Sequence, residues 1–184
     1  MSAGQASPKR PPIIGIAGWK KSGKTTLTER LIETFAGRGL RVCALKHAHH
    51  NFQIDDDATD SARHRRAGAA QVAVVSARRW AMIGELDEGE DEPDFDDVIG
   101  WFGPCDLIVV EGYKSAAIPK IEARREASRT RKPLAPDDPL VIAIAADHAV
   151  SDEGVPTFTL DDVDAIADFL THRFALARPA KVTP

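Results

Sequence analysis

The sequence is short of cysteine, of long apolar runs and of excess positive charge, and each shortage excludes a class of protein. Among its 184 residues there are only two cysteines, Cys43 and Cys105. They lack the CxxC spacing and the histidine neighbours of a metal site. We therefore interpret both as reduced, buried thiols.

Membrane and nucleic-acid binding are not expected either. No apolar run approaches the roughly 18 residues that a membrane span requires. The first residues, MSAGQASPKRPP, lack the apolar core of a secretory signal. A formal net charge of −4 gives the surface no general attraction for nucleic acid. We expect a cytoplasmic protein that binds neither membranes nor nucleic acid.

What the chain does have is the pattern of one α/β domain. Hydrophobic residues make up 43% of it, enough to bury one sizeable core. Apolar runs alternate with helical patterns, which is typical of a three-layer fold with a mostly parallel sheet flanked by helices. We predict a disordered lead-in over residues 1–12, a single domain over 13–176 and a tail over 177–184.

Several strands and turns are predicted from local patterns. Residues 13–17 form an apolar run typical of a buried strand, and residues 105–113, CDLIVVEGY, form the most apolar and therefore a central strand. Residues 119–125, PKIEARR, are predicted as a short edge strand. The basic segment 126–139 is predicted as a mobile loop, and a hairpin turn is expected at residues 77–78.

The stretch GWKKSGKTT follows the first strand and matches G-x-x-x-x-G-K-[ST] at every fixed position. Glycines let the backbone curl so that successive N–H groups converge on phosphate oxygens, and the next helix points its positive end at the same anion. Lys24 would reach the β- and γ-phosphates, and the Thr25 hydroxyl would bind Mg²⁺. The residues assigned to nucleotide binding in this loop are Gly18, Lys21, Ser22, Gly23, Lys24, Thr25 and Thr26.

A second, acidic group is needed to hold Mg²⁺ beside the phosphates. Glu111 ends the apolar strand DLIVVEG, whereas Asp106 begins it, so in a parallel sheet Glu111 lies at the ligand's edge. Asp60 is the next candidate, ahead of the acidic residues 55–57. Either Thr59 or Asp60 could cap a helix there, which explains Asp60 nearly as well as a metal role does. Lys24, Glu111 and Asp60 are the residues expected to act in any hydrolysis.

The histidines His47, His49 and His50 follow the second strand, which ends in Lys46. Without a distant Cys or His partner they are a weak zinc signal, and we interpret them first as a polar wall of the site. Lys46 and His47 are assigned to the nucleotide site.

Taken in order, these motifs resemble the molybdopterin-guanine dinucleotide biosynthesis protein B family, MobB. The shared blocks are GWKKSGKTTL, the segment VCALKHAHHNFQIDDDATDSARHRRAGA, VEGYK and PKIEARR, and together they span about residues 13–170. The resemblance implies a P-loop fold of the dimeric kind, GTP binding, and a helper role to the MobA-type transferase that joins GMP to molybdopterin.

Some positions follow the family's pattern and others depart from it. Lys46, His47 and His50, then Asp60, Ser61, Arg63 and His64, and residues 111–114 fall on the family's motifs. Ala58 and Thr59 stand where members often have Gly-Lys, so this chain lacks a lysine that could contact phosphate or a partner there. Trp19 occupies the position where some related dimeric ATPases have a lysine that acts across their interface, so such a contact cannot be assumed. Trp19 either packs against a neighbouring element or lines a surface that a second ligand or subunit approaches.

Guanine preference is less evident, because the sequence has no NKxD motif. Asp147 follows the strand LVIAIAA and could accept hydrogen bonds from guanine, or it could simply end that strand. Nothing resembles a water-positioning glutamine or an arginine finger, so fast turnover is not expected.

Three functions are compatible with these motifs. The first is a GTP·Mg²⁺-binding accessory protein with slow hydrolysis at most. The others are a small-molecule kinase or ligase of the same fold, and a metallochaperone GTPase, for which the histidines are the only support. The basic segments RHRR and RTRK could attract an anionic pterin or an acidic partner.

Overall fold

The computed structural model describes residues 10–48, 54, 58–87, 89–151 and 154–177. Eight strands and four helices lie along these residues. In chain order they are β1 (Ile13–Ala17), α1 (Lys24–Gly37), β2 (Val42–Lys46), α2 (Asp60–Arg66), β3 (Gln71–Val75), β4 (Trp80–Gly84), α3 (Phe95–Gly100), β5 (Leu107–Glu111), β6 (Lys120–Arg124), β7 (Val141–Ala146), β8 (Thr157–Thr159) and α4 (Val163–Phe174).

Six of these strands form one sheet in the order β2-β5-β1-β6-β7-β8, and every neighbouring pair is parallel. This confirms the predicted fold class. The strands β1 and β5 are buried along their whole lengths, which is why they appear in the sequence as unbroken apolar runs. Because all six strands run the same way, their carboxyl ends lie along one edge of the sheet.

The main core lies between this sheet and helices α1 and α4. The apolar face of α1 buries Leu27, Leu31 and Phe35, and that of α4 buries Ile166 and Leu170. Burial of one such side chain contributes about 1.5–3 kcal/mol. This packing holds α1 against the sheet and thereby fixes the position of the loop that precedes it.

The prediction of β6 as an edge strand is wrong. It lies inside the sheet, between β1 and β7, and its Lys120 and Glu122 side chains are only 2% and 1% exposed. Their alternation with apolar residues resembles a strand with one wet face. That face is nevertheless buried. The buried charges are compensated, because Lys120 pairs with Asp138 at 2.9 Å and Glu122 pairs with Arg124 at 2.7 Å.

The loop after β6, residues 126–139, was predicted to be mobile and is anchored at several points. The backbone N–H groups of Leu134 and Ala135 both donate to the Glu122 carboxylate at 2.9 Å. The carbonyl of Lys132 accepts a hydrogen bond from the Trp19 indole at 2.7 Å. The loop is therefore tied both to the sheet and to the loop that follows β1.

Close contacts between backbone segments divide the chain into two compact units. The larger contains residues 1–47 and 102–184, with the six-stranded sheet, and the smaller contains residues 48–101. The prediction of one domain over residues 13–176 stays a prediction.

Within the smaller unit, β3 and β4 form the expected antiparallel hairpin, and the Ser76 N–H donates to the Arg79 carbonyl across its turn. The Thr59 hydroxyl accepts from the Ala62 N–H and caps α2.

Cys43 and Cys105 are free thiols, as expected, but both are half-buried where full burial was predicted. Burial and a hydrogen bond with Cys43 raise the pKa of Cys105 to about 11. No helix in the described part of the chain is long and apolar enough to cross a membrane.

Candidate functional site

The loop between β1 and α1 has the curled backbone that its sequence predicts. Gly18, Lys21 and Gly23 have φ angles of 142°, 67° and 94°, all in the region that favours glycine. A Cβ on Gly18 would lie 2.5 Å from the carbonyl oxygen of Ala123, so only glycine fits there. Lys21 adopts its positive φ without that freedom, a strain that proteins often retain at functional loops.

The amino end of α1 is open to an anion. Its first backbone hydrogen bond runs from Leu27 N–H to the Gly23 carbonyl at 2.9 Å, so the N–H groups of residues 24–26 precede the intrahelical ladder. The first turn holds no acidic side chain and Gly23 supplies no side-chain cap. The positive end of the helix dipole therefore faces a pocket of about 540 Å³. Its lining residues are Lys21, Ser22, Gly23, Lys24, Thr25, Thr26, Arg125 and Ala127.

Lys24 is held at this pocket by a hydrogen bond from its ammonium group to the Trp19 carbonyl at 2.7 Å. Burial lowers the pKa of Lys24; the Glu111 carboxylate opposes the shift, and the ammonium groups of Lys114 and Lys46 add to it. A cluster of three lysines around one carboxylate is an excess of positive charge. Such an excess is stabilised when a polyanion binds.

Glu111 lies where strand direction predicted, at the carboxyl end of β5. Its Oε1 accepts a hydrogen bond from the Thr25 hydroxyl at 2.7 Å, its Oε2 lies 3.5 Å from the Lys46 ammonium, and the residue is only 8% exposed. Asp106, at the other end of the strand, accepts from the Arg41 N–H instead. Mg²⁺ prefers one or two carboxylate or hydroxyl oxygens together with substrate phosphates, and Thr25 with Glu111 provides that donor set.

The residues that follow β5 and β2 pack closely together. The His47 N–H donates to the Glu111 carbonyl at 2.9 Å, and its ring lies 4.4 Å from the Tyr113 ring, centroid to centroid. Gly112 has a φ of 95°, and a Cβ there would lie 2.9 Å from the Cβ of His47. His47 thus forms a wall beside Glu111, and its assignment to nucleotide binding stays a prediction.

Asp147 lies at the carboxyl end of β7, on the same edge of the sheet. Its Oδ1 accepts from the Glu126 N–H at 2.8 Å and lies 2.9 Å from the His148 Nδ1. The hydrogen bonds from His148 and from the Glu126 backbone hold the pKa of Asp147 below its ordinary value. One carboxylate oxygen therefore anchors the loop after β6, which the sequence interpretation missed.

Trp19 makes two contacts with its own chain. Besides its hydrogen bond to Lys132, its ring lies 3.7 Å from the ammonium of Lys114, a cation–π contact. Burial also lowers the pKa of Lys114. The tryptophan thus holds a lysine close to Lys24, an arrangement that supports the packing interpretation of Trp19.

Other predicted residues lie elsewhere or outside the described residues. Asp60 belongs to the smaller unit, where its carboxylate lies 3.3 Å from the Arg63 guanidinium, and its metal role stays a prediction. His49, His50 and residues 55–57 fall outside the described part of the chain. Within that part, no group of three or more His, Cys, Asp or Glu side chains is arranged to hold a metal.

Arg125 is a site residue that the sequence interpretation missed. It follows β6 and lines the pocket beside Gly23, Lys24 and Thr26. The signal was present in the motif PKIEARR, but an edge strand would have put this residue far from β1. Its position became evident only with the order of the strands.

Comparisons with known proteins agree on one family. Residues 13–147 match the family model of MobB, molybdopterin guanine dinucleotide synthesis protein B. The chain is 36% identical to the molybdopterin-guanine dinucleotide biosynthesis adapter protein of Haemophilus influenzae, over 91% of this chain and 93% of that protein. It is 37% identical to the Escherichia coli protein of the same name, over 88% of this chain and 92% of that protein.

Solved structures agree with this family and with the fold. A crystal structure of molybdopterin-guanine biosynthesis protein B superposes with a TM-score of 0.68 at 26% identity, over 89% of this chain and 99% of that one. The structure of Bacillus subtilis MobB superposes with a TM-score of 0.62 at 25% identity, over 89% and 97%.

Proposed function

The chain belongs to the MobB family, and from this premise we propose that it is a GTP·Mg²⁺-binding adapter of molybdopterin-guanine dinucleotide biosynthesis. Its role is to assist a MobA-type transferase that joins GMP to molybdopterin. The adapter role is the function that the names of both bacterial relatives carry.

One observation carries the nucleotide part of the proposal. A helix without an acidic first turn opens onto a large pocket, and the loop before it adopts the positive φ angles of an anion-binding curl. Anions bind at such helix ends because the unpaired N–H groups and the dipole act together. The pocket is large enough for the phosphate tail of a nucleotide.

The side chains around this loop have separate roles in the proposal. Lys24 exchanges its present acceptor, the Trp19 carbonyl, for phosphate oxygens. Thr25 and Glu111 would hold Mg²⁺, which neutralises the charge of the β- and γ-phosphates. The Lys46 ammonium lies 3.5 Å from Oε2 of Glu111 and helps to orient this carboxylate.

Hydrolysis in this site is slow at most. Glu111 is already engaged by Thr25 and Lys46, which leaves it poorly suited to take a proton from water. A site that holds GTP without consuming it fits an adapter that presents nucleotide, or positions the pterin phosphate, for a partner enzyme. We further propose that the adapter acts as a homodimer and that the Asp147 carboxylate accepts a hydrogen bond from guanine.

Calorimetric titration tests the nucleotide site. With Mg²⁺ present, the wild-type protein should bind GTP more tightly than ATP or CTP, and Lys24→Ala should lose this binding while remaining folded. Lys20→Ala is the matched control, because Lys20 is an exposed lysine of the same loop outside the pocket lining. Unchanged GTP affinity in Lys24→Ala, or no binding by the wild type, would overturn the proposal.

The adapter role needs a second experiment, in which labelled GTP is incubated with molybdopterin, with and without the transferase. We expect the product only when the transferase is present, and more of it when this protein is added. A phosphorylated acceptor formed by this protein alone would instead identify a kinase.

A further inference from the structure

Arg125 lies against the phosphate loop, close to its last glycine. A Cβ built on Gly23 would lie 2.8 Å from the Arg125 Nε, so the guanidinium covers the last glycine of the loop. Among the described residues, no hydrogen bond or ion pair to the Arg125 side chain is found. The side chain is half-buried, not extended into solvent. A cation kept at a pocket without a counter-ion is suited to bind an anion there.

The order of the strands decides which part of a nucleotide Arg125 can reach. In the sheet, β5 lies on one side of β1 and β6 on the other. Glu111 and its partner Thr25 mark the β5 side, where these two residues would hold Mg²⁺. Arg125 follows β6, so it lies on the opposite side of β1, away from the expected Mg²⁺ position.

A second cavity supports this direction. It is narrow, about 20 Å³, and it shares Ser22 and Arg125 with the larger pocket. His148, which follows β7, also lines it. Ser22 and Arg125 thus border both cavities, and the smaller cavity lies on the β6 and β7 side of the phosphate loop.

We propose that Arg125 donates hydrogen bonds to the α-phosphate end of the nucleotide held by the phosphate loop. The inference rests on the proposed function and adds to it a binding residue contributed by the same chain. Arginine suits this position because its guanidinium stays charged at all relevant pH and presents parallel N–H donors to phosphate oxygens. Since GDP and GTP share the α-phosphate, Arg125 contributes equally to the binding of both.

Titrations with GDP and with GTP in Mg²⁺ test this equality. Arg125→Ala should weaken both affinities by the same factor, about 10- to 100-fold, the loss expected for a hydrogen bond to a charged group. Arg125→Lys keeps the positive charge but loses the parallel N–H donors of the guanidinium. We expect a smaller loss of affinity, again equal for both nucleotides. Arg129→Ala removes the same charge from an exposed position of the following loop and should change neither affinity.

Each contrary outcome has its own meaning. If Arg125→Ala binds both nucleotides as the wild type does, Arg125 is a solvated side chain and this inference alone is wrong. A loss for GTP with GDP unchanged would put Arg125 at the γ-phosphate and equally overturn it. If the wild type binds neither nucleotide, the proposed function fails and the inference fails with it. Circular dichroism shows whether Arg125→Ala is folded, and Arg125→Lys decides the matter if it is not.

Discussion

Glu122 offers the sharpest test of how the site's surroundings are held together. Its carboxylate is only 1% exposed and accepts three hydrogen bonds, from the Arg124 guanidinium at 2.7 Å and from the N–H groups of Leu134 and Ala135 at 2.9 Å each. Through them it joins β6 to the loop whose Lys132 carbonyl accepts from the Trp19 indole. Glu122→Ala removes every one of these bonds at once.

The expected cost follows from burial. Removing one partner of a buried ion pair typically costs about 3–5 kcal/mol, because the remaining charge stays desolvated and uncompensated. The native fold of a domain is typically stable by only about 5–15 kcal/mol, so the loss would be a large share of the total. Glu122→Gln preserves the shape but replaces one acceptor oxygen with a donor, and we expect it to cost about 1–3 kcal/mol.

Urea denaturation, followed by circular dichroism, measures both variants against the wild type. The midpoint should fall in the order wild type, Glu122→Gln, Glu122→Ala, with an unchanged slope. Glu126→Ala is the control, since the ion pair of Glu126 with Arg131 is exposed and should contribute at most about 1 kcal/mol. A Glu122→Ala variant as stable as this control would refute the reasoning that the carboxylate holds the loop.

Three further predictions follow from the same structure. Nucleotide affinity should fall as pH rises, because only the ammonium form of Lys24 binds phosphate. Since the pKa of Lys24 is lowered, the fall should begin below the ordinary lysine pKa of 10.5. Calorimetry that finds no loss of affinity until ordinary lysines titrate would contradict this. Cys105, whose pKa is raised from 9.0 to about 11, should be alkylated by iodoacetamide roughly 100-fold more slowly than an ordinary thiol. Equal rates in the native and urea-unfolded protein would show that its thiolate is not suppressed. Gly112→Ala should lower stability by about 1–3 kcal/mol, since its φ is 95° and the new Cβ meets His47, and an unchanged melting temperature would argue against strain there.

The charged residues in and beside the strands show what a local sequence pattern can and cannot predict about position in the sheet. Glu111 was preferred over Asp106 because it ends the apolar run, and ligands bind at the carboxyl ends of parallel strands. In the structure, Glu111 accepts from Thr25 at 2.7 Å, and Asp106 accepts from Arg41 at the other end of the strand; the metal role of Glu111 stays a prediction. The same reasoning failed for β6, which was predicted as an edge strand. A charged residue such as Glu122 that alternates with apolar residues gives the same sequence pattern whether or not a distant loop covers it.

The sequence by itself determined the curled loop before α1, the parallel sheet and the family. Each of these depends on residues close together in the chain: Gly18 to Thr25 are consecutive residues, and the buried strands β1 and β5 are each largely one apolar run. Only the tertiary structure decided that β6 lies beside β1, that residues 134 and 135 cover Glu122, and that Arg125 lies over Gly23. Strand order and loop anchoring are set by contacts between residues far apart in the chain. A local hydrophobic pattern does not predict which distant segments will be in contact.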